Sequence, residues 1–311
     1  MTSRSKRLII LFVLFLLISP LHAYQHPAQD DNHLIMMSVV VWNRSGLTKG
    51  LKREVFTVMD EKVVRPIEFF DDTDTPVSIG ILVDNSGSMH PNIRGVTSKQ
   101  DFLGEELKQL LANGHPDNEY FLVSFNKTPK LLADWSSAKE MMALRFEIEE
   151  PKHDTALYDT IFLALEKLHS GQRLRRALVL LSDGQDNASR RTFKEVRTSL
   201  RNADVTVYAV GIMGASDVGS SLGIEGQGIL DELSETTGGG SSYPTSRKEL
   251  TTAFSTIAGE LHHHYRLGFR PDKSDAPNKW RRLKITVTIP PNAAPEFKNL
   301  SVRARSGYYT R

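Results

Sequence analysis

No cysteine occurs among the 311 residues. A disulfide framework, a thiolate-bound zinc or iron–sulfur centre and a thiol nucleophile are therefore excluded. Neither sign of charge dominates: 39 Lys and Arg face 37 Asp and Glu. That balance gives no overall pull towards nucleic acid or an anionic membrane surface. The apolar run Leu8–Ile18 holds eleven residues, short of the ~20 that a membrane-spanning helix needs. What is present is ordinary for a globular chain, 40% hydrophobic and 24% charged. At ~150 residues per domain the length suggests two domains, with core enough to fold without covalent staples.

The first residues read as a processing signal. MTSRSKR carries three basic and no acidic side chains, Leu8–Ile18 is apolar throughout, Pro20 breaks the run, and Ala23 ends it on a small residue. This basic, apolar, small-residue order is that of a secretory signal peptide over residues 1–23. The expected mature chain carries a net charge of −1 and has no stable membrane span. Residues 24–33 are polar and expected to be disordered. Export without cysteine points to a bacterial periplasmic, cell-surface or secreted protein.

Two kinds of pattern follow. LIMMSVVV at 34–41, EVFTV at 54–58 and VVRPIEFF at 63–70 read as strands, with no helical period before residue 76. From Pro76 onward, the apolar runs 77–83, 120–125, 177–181 and 205–212 alternate with helical spacings such as Leu157, Ile161, Leu165 and Leu168. Runs apolar on both faces suit a parallel sheet covered on both sides. Residues 76–263 are thus expected to form an α/β domain with a doubly wound, mostly parallel sheet of the Rossmann-like kind. After His264 the β pattern returns at 265–269, 282–289 and 300–309. Neither end alone is long enough for an ordinary sandwich. Segments 34–75 and 264–311 are expected to build one small β-sandwich, into which the α/β domain is inserted.

Asp84-Asn85-Ser86-Gly87-Ser88 directly follows the strand 77–83. It falls at the carboxyl edge of the sheet, where open α/β folds bind ligands. Asp84, Ser86 and Ser88 are oxygen donors of the kind a hard cation such as Mg²⁺ takes. Ser and Asp are equally at home as helix N-caps, so the motif alone leaves both readings open. Asp183 follows the strand 177–181, and Thr155 opens a helix, where it too suits a cap. The three loops would bring Asp84, Ser86, Ser88, Thr155 and Asp183 to one edge. Two carboxylates would nearly neutralise a divalent ion, leaving one coordination position for water or an acidic group.

DNSGSM, HDTALYDTI and ALVLLSDGQDNAS, in this order and spacing, resemble the von Willebrand factor type A (VWA) domain over roughly 76–263. GLKREVFTVMDE, EFFDDTDTPVSIG, HYRLGFRP and SVRARSGYYTR resemble the flanks of secreted bacterial proteins related to it. The resemblance implies a metal-ion-dependent adhesion site with Asp84, Ser86, Ser88, Thr155 and Asp183 as ligands. It further implies Mg²⁺, or alternatively Ca²⁺ or Mn²⁺, and a protein partner that offers an Asp or Glu to the metal. His153-Asp154 stands where related sequences often have Gly before the Thr, which would either add a ligand or tilt the loop.

Other motifs carry blander readings. Asp72-Thr73-Asp74-Thr75 matches a phosphatase D-x-D-x-T but precedes the first central strand, so it reads as an acidic linker. His90 and His153 lie near the site in sequence with nothing to orient either as a base. His262-His263-His264 are expected to point in different directions at a helix end. Gly219–Gly228 and Gly238–Gly240 read as loops, and the N-x-S sequons at Asn43, Asn187 and Asn299 as chance. The leading expectation is a non-enzymatic, exported, metal-dependent binding or adhesion module without nucleic-acid affinity. A metal-assisted hydrolase and a structural envelope protein with a closed metal site are the alternatives.

Overall fold

The computed structural model describes residues 34–86, 99–144, 154–213, 219–272, 277–291 and 294–310, with backbone alone at 99–104 and 296. The signal-like segment, Ser88, His90 and His153 lie outside the described residues. The first strands are β1 (Ile35–Asn43), β2 (Gly46–Leu47), β3 (Phe56–Asp60), β4 (Val63–Arg65) and β5 (Phe69–Asp71). The expected single strand over 63–70 is two strands. Pro66 stands between them, and a proline gives a sheet no N–H donor.

The middle of the chain supplies β6 (Val77–Asp84), α1 (Lys99–Ala112), β7 (Glu119–Phe125), β8 (Pro129–Ser137), α2 (Ala138–Ala143), α3 (Leu157–Leu168), β9 (Arg175–Ser182), α4 (Phe193–Asn202), β10 (Thr206–Gly211), α5 (Ser221–Thr237), β11 (Ser241–Ser242) and α6 (Arg247–His262). They form one six-stranded sheet in the order β11-β10-β9-β6-β7-β8. Every residue of β6 is buried, because helices cover both faces. Ile79, Ile81 and Val83 pack with Leu110 and Phe254 on the side of α1 and α6. Leu82 packs with Phe121, Ile161 and Leu233 on the side of α3 and α5. The pairings are parallel except β7 with β8, so the expected doubly wound α/β sheet is present with one antiparallel edge strand. The sequence reading placed no strand at 129–137.

The chain then closes with β12 (Tyr265–Phe269), β13 (Trp280–Val287), β14 (Ser301–Ala304) and β15 (Gly307–Tyr309). Strands from both ends pair antiparallel, with Val39 opposite Tyr265 and Ala304, and Val58 opposite Ile285. One sheet runs β14-β1-β12-β5 with β2 beside β1, and the other β15-β13-β3-β4. Val39, Val58, Leu267, Phe269 and Tyr308 from both sheets share one core. Burying each such aliphatic or aromatic side chain is worth about 1.5–3 kcal/mol. The expected strand 300–309 is in fact β14 and β15, in different sheets. The chain crosses between them at Arg305-Ser306, where the Ser306 carbonyl accepts from Leu283 N–H at 2.9 Å.

Two chain crossings join the sandwich to the α/β part. Arg175 bridges them: its Nη1 donates to the Thr75 carbonyl and its Nη2 to the Leu261 carbonyl, each at 2.6 Å.

Candidate metal centre

Asp84 ends β6 and Asp183 follows β9, the strand beside it in register, with Val83 opposite Leu181. Parallel pairing therefore sets both carboxylates at the same edge. Both residues are fully buried. Asp84 Oδ1 accepts from Ser86 N–H at 2.8 Å, closing a tight turn that fixes the loop. Its Oδ2 accepts from the Ser182 hydroxyl at 2.6 Å. Ser182 stood in the sequence motif without a role; here it holds the carboxylate and accepts in turn from Gly184 N–H at 3.1 Å. Burial, and then the neighbouring Asp183 charge, push the Asp84 carboxyl up to about 6, against the lowering effect of these hydrogen bonds.

Thr155 reaches the same edge by its own ties. Asn85 N–H donates to the Phe125 carbonyl at 2.6 Å, and Ala156 N–H to the adjoining Asn126 carbonyl at 2.7 Å. The end of β7 thus holds both loops. Thr155 N–H donates to Asn187 Oδ1 at 2.7 Å, and its carbonyl accepts from Asn187 and Ala188 N–H at 3.0 Å. Asn187, read from sequence as a chance sequon, is therefore a brace for the Thr155 loop. Asp186 and Ser189 continue it, accepting from Tyr158 N–H at 2.9 Å and Asp159 N–H at 3.0 Å. The first turn of α3 takes its donors' partners from this loop. The capping position of α3 is Ala156, which has no side-chain cap, so Thr155 is not the helix cap that its residue type allowed. Its residue is 2% exposed. Asp154 is engaged elsewhere, with Lys127 Nζ 3.4 Å away.

The segment Gly219–Gly228, expected as a loop, is mostly the start of α5. Ser220 caps it, accepting from Gly223 N–H at 3.0 Å. Gly226 in it, with Gly184 opposite, allows close packing. A Cβ on Gly226 would stand 2.2 Å from the Asp183 carbonyl oxygen, and one on Gly184 2.2 Å from the Gly226 carbonyl oxygen. Gly184 also has φ +83°, a left-handed conformation that favours glycine. The backbone of α5 thus rests directly on the Asp183 loop.

Among the described residues no three His, Cys, Asp or Glu side chains gather into a metal cage. The edge instead gathers two buried carboxylates, from Asp84 and Asp183, with the buried residues Ser86 and Thr155. That donor chemistry fits a hard divalent cation: two negative charges that repel without one, and hydroxyl oxygens to complete a shell. His262, His263 and His264 are spread over separate partners: Asp74, Lys49 and Arg175. Asp74 precedes β6 and Arg175 opens β9, so His262 and His264 stand at the opposite end of the strands.

The von Willebrand factor type A domain matches residues 78–250. The chain belongs to that family. Members of the VWA family commonly bind divalent cations and mediate protein interactions, and the matched span contains Asp84, Ser86, Ser88, Thr155 and Asp183. Curated protein sequences gave no match. Among solved structures the chain is similar to the PilB minor pilin of Streptococcus sanguinis, at 17% identity and a TM-score of 0.48, covering 63% of each chain. The chain thus spans under two thirds of that pilin's length. It is similar to an aerotolerance-related membrane protein of Bacteroides fragilis, at 16% identity and a TM-score of 0.45, covering 60% of this VWA chain and 98% of that one. It is also similar to proximal thread matrix protein 1 of the mussel byssus, at 14% identity and a TM-score of 0.49, covering 65% and 51%. Among the described residues no helix is long and apolar enough to cross a membrane.

Proposed function

We propose that this VWA chain is an exported, non-enzymatic binding module that captures an acidic side chain of a partner protein through a divalent cation. Asp84, Ser86, Ser88, Thr155 and Asp183 would hold the ion, with Mg²⁺ the first expectation and Ca²⁺ or Mn²⁺ the alternatives. The observation that carries this reading is the meeting of Asp84 and Asp183, both fully buried, beside Ser86 and Thr155 at one sheet edge. A bound ion supplies a positive centre to which a partner carboxylate can coordinate. The protein's own groups do the rest. Ser182 and Ser86 N–H orient the Asp84 carboxylate, the Asn187 brace presents Thr155, and α5 backs Asp183. Burial lowers the local dielectric, so an ionic contact there is stronger than in bulk water. A site lined mainly by hydroxyls does not repel an incoming carboxylate as further Asp or Glu would.

Export rests on the order of residues 1–23, and N-terminal sequencing of the secreted form should begin near Tyr24. The binding reading is tested by capture of partner proteins from an envelope extract. Binding should disappear with chelator and with Ser86→Ala, and when one partner Asp or Glu is changed to its amide. Binding that persists equally in chelator and in Ser86→Ala would overturn it in favour of a structural role.

A further inference from the structure

Helix α5 follows β10 and so begins at the edge of the sheet where Asp84 and Asp183 meet. It touches the candidate site through Gly226, whose Cβ position stands 2.2 Å from the Asp183 carbonyl oxygen. Residues four apart lie on one side of a helix, so Leu222, Gly226 and Leu230 form one stripe. Leu230 and, three residues on, Leu233 are in the core, 0% and 1% exposed. Leu222 carries the same stripe beyond the sheet edge, and there it is 56% exposed. It stands one helical turn, about 6 Å, outward from the Asp183 contact, and helical side chains lean further towards the N-terminus. The core stripe of α5 thus ends in a large aliphatic side chain over the Asp183 loop, more than half of it open to water.

The surroundings of Leu222 define what would cover it. The first turn of α5 carries no acidic side chain, so a carboxylate approaching Asp84 and Asp183 meets no repulsion there. Glu225, whose charge reaches Tyr158 of α3, lies three positions from Leu222 and would repel a second acid placed beside it. An aliphatic neighbour escapes that repulsion and buries Leu222. Covering Leu222 also shuts water out of one side of the site, and an ionic contact gains strength as water leaves. Ile224 is 63% exposed as well. It comes two residues before Gly226, however, and therefore points about 200° away around the helix.

We propose, resting on the metal-held carboxylate of the preceding section, that Leu222 sets the specificity of the site. It takes an aliphatic side chain two positions from the captured Asp or Glu in an extended partner segment. Side chains two apart share one face of an extended chain at a spacing of about 6.5 Å, which matches the one-turn step from the Asp183 contact to Leu222.

The test pans a random peptide library, displayed on phage, against the full mature chain in Mg²⁺ and elutes with chelator. Sequences selected by wild type are expected to carry an Asp or Glu with Leu, Ile, Val or Met two positions away. Leu222→Gln, which keeps a good helix former at an exposed position, should still select the acid but lose the aliphatic preference. Its affinity for a peptide selected by wild type should fall about tenfold, the effect of losing one buried aliphatic contact. Ile224→Gln should select as wild type does. Acids enriched without the aliphatic residue, a preference kept in Leu222→Gln, or one lost equally in Ile224→Gln would overturn the role of Leu222 and leave the metal reading standing. Selected peptides that lack an acid, or that chelator does not release, would overturn both.

Discussion

Asp84 is a carboxylate placed where the metal-free protein disfavours its charge. Burial and the neighbouring Asp183 raise it from 3.8 to about 6, a penalty on the order of 3 kcal/mol for the ionised form at neutral pH. Asp84→Asn should therefore leave the metal-free protein as stable as wild type or more so. The amide oxygen can still accept from Ser86 N–H, and the Ser182 hydroxyl can turn to accept from the new amide. The same change should abolish stabilisation by Mg²⁺. Denaturant unfolding in chelator and in Mg²⁺ checks both halves, and a variant less stable than wild type in chelator contradicts the argument. His264 makes the opposite kind of residue. Its folded pKa lies well below 6.5. Its contribution to stability is full above about pH 6.5 and is lost as pH falls below it, because the unfolded chain takes a proton that the folded ring refuses; Asp84 acts oppositely below about pH 6, where the folded carboxyl takes a proton that the unfolded one does not. In Asp84→Asn, which removes the opposing titration, the loss should approach about 1.4 kcal/mol per pH unit. Adding His264→Gln, which keeps an acceptor for Arg175, should flatten that slope between about pH 6.5 and 5 when followed by denaturant unfolding. An unchanged slope would place the titration elsewhere.

At the scale of elements, the contact between α5 and the Asp183 loop sets how the site is held. Gly226→Ala puts a methyl group 2.2 Å from the Asp183 carbonyl oxygen, so α5 must move outward. The expected loss is about 1–3 kcal/mol of stability together with weaker divalent-ion binding, because Asp183 loses its backing. Gly228 sits in the same helix with nothing within 4 Å of its Cβ position. Gly228→Ala should stabilise the protein by about 0.5–1 kcal/mol and leave ion binding alone. Calorimetric titration of both variants separates the two. This helix also shows where sequence reading fails. The stretch GSSLGIEGQG has the glycine and serine content of a loop; the close approach of the Asp183 loop explains Gly226 in a helix, while Gly228 has no such neighbour. β8 was missed for a different reason: at a sheet edge its residues are mostly half-exposed or exposed, so PKLLADWSS lacks a clear apolar period. β6, β7 and β9 were legible because both their faces are covered and their runs are therefore apolar throughout. Asp84, Ser86, Thr155 and Asp183 were legible because each follows such a run or opens a periodic helix. The braces Ser182 and Asn187 were not, since their role depends on which loops meet in space.

At the scale of the whole molecule, the insertion makes both crossings between the two parts a shared responsibility of one side chain. Arg175 opens β9, inside the α/β part, yet donates to Thr75 just before β6 and to Leu261 near the end of α6, and also meets His264. It thus holds the entry and exit of the inserted part together. Burial lowers its pKa to about 10, so it remains charged at neutral pH. Arg175→Met keeps most of the apolar stem but leaves two carbonyls and the His264 ring without their donor. Each buried group so orphaned costs about 1–3 kcal/mol. The sandwich keeps its own core of Val39, Val58, Leu267 and Phe269, and the α/β sheet keeps both of its helix-covered faces. Loss of the shared clamp should therefore weaken coupling between the parts more than either part alone. Scanning calorimetry is expected to show one cooperative transition in the wild-type protein and two partly separated transitions in Arg175→Met. A single transition in the variant, merely shifted to lower temperature, would mean that the paired strands and the other contacts across the junction carry the coupling without Arg175.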